Sequence, residues 1–144
     1  MSRLSEALTG AGLSARVFQP GEVWLYPSQD LFLSADKLQA RKSETKPRPV
    51  IIVENEAHCS DPGYITLLVV PTSHRVDLRN DSALFLPAGS GNLEVNSLAL
   101  VNIMQPVLKR DLGRRLGQLA ESDLVKLLAL IARTLAMGMV EDRE

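Results

Sequence analysis

Apolar residues in this chain fall in short runs between turn residues, with one long helical stripe near the end. "EVWLY" (22–26) follows the turn signal Pro20-Gly21 and reads as a strand. "PVIIVEN" (49–55) and "YITLLVVPTS" (64–73) have apolar runs without alternation, the pattern of strands covered on both faces; Pro71 marks the end of the second. "SALFLP" (82–87) alternates as a half-buried strand does. "SLALVNIMQPVLK" (97–109) reads as one long strand with Pro106 at a bend or an edge, and "GRRLGQL" (113–119) as a last short one. "EAHCSDPG" (56–63) is a loop turning at Asp61-Pro62-Gly63, and "AGSGN" (88–92) is a turn.

Two stretches are helical. Residues 3–9 suit a short helix stopped by Gly10 and Gly12. Residues 122–137 carry Leu124, Leu127, Leu128, Ile131 and Leu135 at helical spacing, with Ser122 able to cap and Asp123 suited to the positive first turn. Leu130, Ala132 and Met137 widen this stripe beyond what one small sheet covers, which points to a second contact, most simply another subunit. The tally is a mostly-β (α+β) fold: a small barrel of five to seven strands with a C-terminal helix. Residues 1–18 form an N-terminal extension and 19–144 the domain. The connection from Gln29 to Pro47 exceeds the usual loop length and is charged in its second half, marks of a functional or disordered segment.

Composition narrows the classes. No apolar run approaches the ~18 residues of a bilayer-spanning helix, and the first residues lack the unbroken apolar stretch of a secretory signal. A single cysteine, Cys59, gives neither a disulfide framework nor a CxxC metal spacing, and His58 beside it supplies too few ligands for zinc. These features lead us to expect a cytoplasmic protein with no metal or cofactor. The net charge of −1 means that any polyanion must meet a local basic patch.

Such patches exist. Lys37, Arg41, Lys42, Lys46 and Arg48 crowd the long connection, diluted by Asp36 and Glu44. Arg75 and Arg79 follow the strand that ends at Ser73; Lys109, Arg110, Arg114 and Arg115 follow the long strand. They could converge as a groove for a single strand of nucleic acid, or stay a solvated, salt-bridged surface. Arg48 stands between Pro47 and Pro49, both with φ locked and without an N–H donor, so its backbone has little freedom. On sequence alone this marks a strand edge with a solvated arginine. Ser73 suits a turn cap, and the adjacent His74 a surface histidine pointing to the opposite face.

The order of the pieces resembles the MazF/PemK-like (CcdB-type) toxins, over roughly Gln19 to Ala136. "PGEVWLY" resembles the family's first strand, "PRPVIIVEN" its Arg-Pro-Val strand, and "VVPTSH" the strand that ends in Pro and a Thr/Ser pair. "NSLALVNIMQPVLKRDLGRRLGQL" resembles its long strand, basic linker and Leu-Gly-x-Leu strand, and a final helix follows. The resemblance implies an SH3-like barrel and a homodimer. It also implies a metal-independent endoribonuclease that cuts single-stranded RNA at a short sequence and is silenced by a cognate antitoxin. By that resemblance Arg48 and Ser73 are the catalytic pair, Arg48 acting chiefly as an electrostatic clamp on phosphate. Lys42, Glu44, Lys46, His74 and Arg75 are then the expected RNA-binding residues, with general base a minority role for His74.

The chain departs from the family in two places: "SETKPRP" replaces its Glu-Gln-x-Gly before Arg-Pro, and Asn102-Ile103 stand where Asp-Gln is frequent. The competing readings are a catalytically silent homologue, a gyrase-directed toxin and a peptide-binding adaptor. The acidic tail "MVEDRE" lacks the aromatic anchor expected for gyrase, and an aromatic fraction of 4% is poor for a peptide groove.

Overall fold

The computed structural model describes residues 16–33 and 46–136. The helix expected over 3–9, most of the 29–47 connection and the end of the chain lie outside these residues. The elements are β1 (Glu22–Tyr26), β2 (Arg48–Ile52), α1 (Glu56–Ser60), β3 (Thr66–Ser73), β4 (Ala83–Leu86), β5 (Ser97–Leu100), β6 (Gln105–Leu108), β7 (Arg115–Gln118) and α2 (Glu121–Thr134). The strands form one curled antiparallel sheet in the order β4-β5-β3-β2-β1-β7, with β6 also beside β3. This is the mostly-β, barrel-like fold with a C-terminal helix that the patterning predicts.

β3 is the hub. Thr66 to Val69 pair with β6, whereas Thr72 and Ser73 pair with β5, so one strand feeds two branches of the sheet. The expected long strand 97–109 is therefore two strands, β5 and β6, joined by a 3-10 turn at Val101–Ile103. Pro106 falls in β6, exposed and without an N–H to lose from the ladder. Pro71 does not end β3; it pairs across from Val50, and the strand continues to Ser73.

Each face of the sheet carries a core. Phe18, Trp24, Tyr26, Val50, Ile52, Leu67 and Val69 pack on one. Val23, Ile51, Val70, Ala99, Leu127, Leu130 and Ile131 pack on the other, where α2 docks. Alternation along β1, β2 and β3 divides the residues between the two clusters, so the strands without polar positions are buried on both sides, as their apolar runs predict.

The loop after β2 contains a helical turn, α1. Asn55 caps it by accepting from the His58 amide at 2.9 Å. Lys109 Nζ closes its other end, donating to the carbonyls of His58 (2.7 Å) and Asp61 (2.9 Å). Five residues are too few to show a helical period, which hid this element in the sequence. α2 begins at Glu121 with Ala120 at its N-cap, so Ser122 lies inside the first turn and does not cap it.

Two glycines bring β7 against the 90–92 turn. A Cβ on Gly117 would lie 2.7 Å from the Gly91 carbonyl, and one on Gly91 would lie 2.6 Å from Val23 Cγ2. Gly91 also has φ +55°, and Asn92 beside it ties the turn to β7 by donating to the Leu116 carbonyl at 2.8 Å. Gly117→Ala must push backbone against backbone; it should cost about 1–3 kcal/mol, read as a lower urea midpoint with an unchanged slope.

Candidate functional site

The far ends of β2 and β3 are short of donors. Pro47, Pro49 and Pro71 have no N–H to give a ladder. Two side chains supply cross-ties there. Arg48 Nη1 donates to the Thr72 carbonyl at 2.9 Å. Thr72 Oγ1, in a residue only 2% exposed, donates to the Pro49 carbonyl at 2.7 Å. The arginine and the threonine thus hold each other's strand.

Beside these ties opens a cleft of about 470 Å³. Lys46, Arg48, Thr72, His74, Glu94 and Arg114 line it among apolar neighbours. Its charged lining is three cations against one carboxylate, the local basic patch that a net charge of −1 requires. Main-chain bonds fix the walls. Ser28 Oγ donates to the Lys46 carbonyl at 2.6 Å, and the Arg114 carbonyl accepts from the Leu25 amide at 2.9 Å. The turn held by Gly91, Asn92 and Gly117 leads directly into Leu93, Glu94 and Val95, which form part of the lining.

The predicted residues divide between two places. Arg48, Lys46 and His74 share the cleft. Ser73 and Arg75 do not: with Asn80, Asn102 and Ile103 they line a separate cavity of about 190 Å³. The cause is strand alternation. Thr72 of β3 and Ser97 of β5 line the cleft, whereas their neighbours Ser73 and Leu98 line the other cavity. Ser73 Oγ accepts from the Arg75 amide at 3.1 Å, the turn-capping role open to it in the sequence. Arg75 is engaged by Asp77 through Nε (3.0 Å) and Nη2 (2.9 Å). Lys42 and Glu44 lie outside the described residues.

The hydroxyl beside Arg48 therefore belongs to Thr72, which the sequence reading passed over. Period-2 counting from Val70 contains the signal, since it places Thr72 and His74 together and Ser73 apart. Of the basic residues around β7, only Arg114 reaches the cleft. Arg115 Nε instead donates to Glu22 Oε2 at 2.6 Å, and the same carboxylate's Oε1 accepts from Trp24 Nε1 at 3.2 Å. Lys109 is buried at α1, and desolvation pushes its ammonium below its ordinary value. Arg79 stacks on the Phe85 ring at 4.6 Å.

Among the described residues, no group of three or more His, Cys, Asp or Glu is placed to hold a metal ion. None of their helices is long and apolar enough to cross a membrane. His58 stacks on Tyr64 with ring centroids 3.7 Å apart and bonds Glu54 at 2.7 Å, away from the cleft.

A curled sheet with a C-terminal helix and a cationic cleft at its prolyl end defines a small toxin fold. The family model for the "PemK-like, MazF-like toxin of type II toxin-antitoxin system" matches residues 20–135, and the chain belongs to that family. No curated protein matches it. Among solved structures, it is similar to an endoribonuclease in complex with its cognate antitoxin from a mycobacterial species, with 13% identity over 84% of this chain and 97% of that one, at a TM-score of 0.63. It is also similar to the Mycobacterium tuberculosis toxin MazF-mt6, with 21% identity over 78% and 93% of the two chains, TM-score 0.57. A third is MazE–MazF from Deinococcus radiodurans, with 14% identity over 85% and 98%, TM-score 0.60. Identities this low speak for the fold.

Burial raises the Cys59 thiol from 9.0 to about 11, against a lowering pull from Lys109. The folded thiol holds its proton more tightly than the unfolded one. Its contribution to stability is therefore complete below about pH 9 and lost as pH rises toward about 11. Urea midpoints measured at neutral pH and again near pH 10 should fall less in Cys59→Ala than in the wild type.

Proposed function

We propose that this chain is a metal-independent endoribonuclease toxin that cleaves single-stranded RNA in the Arg48 cleft and is silenced by a cognate antitoxin. The observation that carries the reading is the mutual tie of Arg48 and Thr72 at the wall of an open cleft with two further cations. A guanidinium presents a planar fork that matches phosphate oxygens. Arg48 is held by flanking prolines and by the Thr72 carbonyl, so it need not reorganise as charge builds on phosphorus.

The nucleophile in this reading is the substrate's own 2′-OH. Its oxygen bonds to phosphorus as the bond to the 5′-oxygen breaks, leaving a 2′,3′-cyclic phosphate and a 5′-hydroxyl. Arg48 neutralises the pentacovalent phosphorus, Thr72 holds the guanidinium in place through its carbonyl, and Lys46 and Arg114 hold the RNA backbone. Asn102 and Ile103, one of the two departures from the family pattern, line the other cavity and not this cleft, so they do not weigh against chemistry here. An acidic antitoxin segment is the complementary occupant for a cleft of this sign.

The homodimer in this reading rests on α2. Leu127, Leu130 and Ile131 are buried against the sheet, while Val125 (59% exposed) and Leu128 (43%) leave an apolar outer face that a second copy would cover.

Purified protein should cut a long mixed-sequence transcript in EDTA. Arg48→Ala should lower the rate on the order of 10²-fold or more, and Thr72→Val should also slow it. Ser73→Ala should stay near wild type. Full activity in Arg48→Ala, or a Ser73→Ala loss as deep as Arg48→Ala, would remove this assignment. Light scattering tests the dimer: Val125→Lys with Leu128→Lys should halve the mass, and an unchanged mass rejects α2 as the contact.

A further inference from the structure

The cleft holds one imidazole that the clamp does not use. We propose that His74 is the general base of this cleft, taking the proton of the attacking 2′-OH; the proposal rests on the nuclease reading above.

His74 is placed by the strand and then by a turn. Thr72 near the end of β3 and His74 in the bend just after it both line the cleft with Arg48. Directly after the strand, the His74 carbonyl accepts from the Val76 amide at 2.9 Å. The Ser73 hydroxyl accepts from the Arg75 amide at 3.1 Å. These two bonds fold the chain back on either side of His74 and hold its backbone at the rim. The buried Ser73 hydroxyl itself does not reach the cleft and serves only as a local turn cap.

The other cleft groups are poor at this task. Arginine does not give up its proton in proteins, which excludes Arg48 and Arg114. Lysine carries donors and no acceptor, which suits Lys46 to holding phosphate. Thr72 commits its hydroxyl proton to the Pro49 carbonyl. Glu94 is the remaining candidate, an exposed carboxylate in the cleft lining. The charged and titratable groups facing His74 across the cleft are therefore Lys46, Arg48, Arg114 and Glu94. An imidazole lining the same cleft as the Arg48 clamp is the group whose chemistry suits a general base.

The step balances without a further reactant. An imidazole nitrogen takes the 2′-OH proton as the oxygen bonds to phosphorus. The bond from phosphorus to the 5′-oxygen breaks with its electron pair, and that oxygen takes a proton from water. The imidazolium returns its proton to the hydroxide left behind.

The test measures cleavage of a long mixed-sequence transcript by the full chain, in EDTA and under enzyme excess, from about pH 5 to about pH 9. Wild type should show a rate that climbs through neutral pH and levels off. His74→Gln should be slower on the order of 10²-fold or more and should lose that rising limb. His74→Ala should regain part of the rate with added imidazole. Full rate in His74→Gln, or a slow variant that keeps the wild-type limb and ignores imidazole, overturns the proposal. So does a limb that survives in His74→Gln and disappears in Glu94→Gln, which makes the carboxylate the base. If Arg48→Ala is dead while His74→Gln matches wild type, this inference fails and the nuclease reading stands. A wild type that cuts no RNA removes both.

Discussion

Three prolines converge where β2 and β3 meet the solvent, and the way their missing donors are replaced governs the rest of the site. A ladder without N–H groups would fray, because carbonyls left without partners at a strand end go to water. Here the guanidinium of Arg48 satisfies the Thr72 carbonyl and the hydroxyl of Thr72 satisfies that of Pro49. The usual sheet would spend main-chain amides on this work. Spending side chains instead leaves an arginine and a threonine fixed to the sheet itself and not to a loop, which is the condition for a site held to a fraction of an ångström.

A second constraint follows from the pleat. β3 is long enough to serve β6 with its first half and β5 with its end, and its side chains keep alternating throughout. Val70 and Thr72 fall on the side of the α2 core and the cleft; Val69 and Ser73 fall on the other. One register step thus separates the two hydroxyls of "PTS" by the thickness of the sheet. A shift of one residue would exchange their surroundings completely.

The fold was legible because its signals are additive. Apolar runs, turn residues and a helical stripe each point to the same barrel, and the strands buried on two faces show no alternation, as their two cores require. The misses have local causes. α1 is too short to have a period. β5 and β6 read as one strand because a 3-10 turn at Val101–Ile103 is as apolar as its neighbours. Of the described residues that the family resemblance singled out, Arg48, Lys46 and His74 share the cleft, whereas Ser73 and Arg75 line the other cavity. Ser73 was preferred to Thr72 because a chain position after proline says nothing of which face a side chain takes. Counting pleats from the core residue Val70 settles that question, and only a known core residue allows the count to start.

Charge distribution shows how a nearly neutral molecule keeps a cationic cleft. Its basic residues are sorted by what lies beneath them. Arg115 is drawn onto the buried Glu22, which also holds the Trp24 ring nitrogen, and Lys109 is drawn onto the carbonyls ending α1. Arg75 spends its fork on Asp77. Each of these cations is engaged by other groups and does not line the cleft. Lys46, Arg48 and Arg114 remain around one opening, with Glu94 opposing them. Neighbouring residues at the start of β7 take different fates: Arg115, the first residue of the strand, bonds Glu22, whereas Arg114 just before it lines the cleft. Alternation at the end of β3 divides the hydroxyls, and the pairing of Arg115 with Glu22 and of Arg75 with Asp77, more than the number of basic residues, decides which cations are left to give this surface its sign.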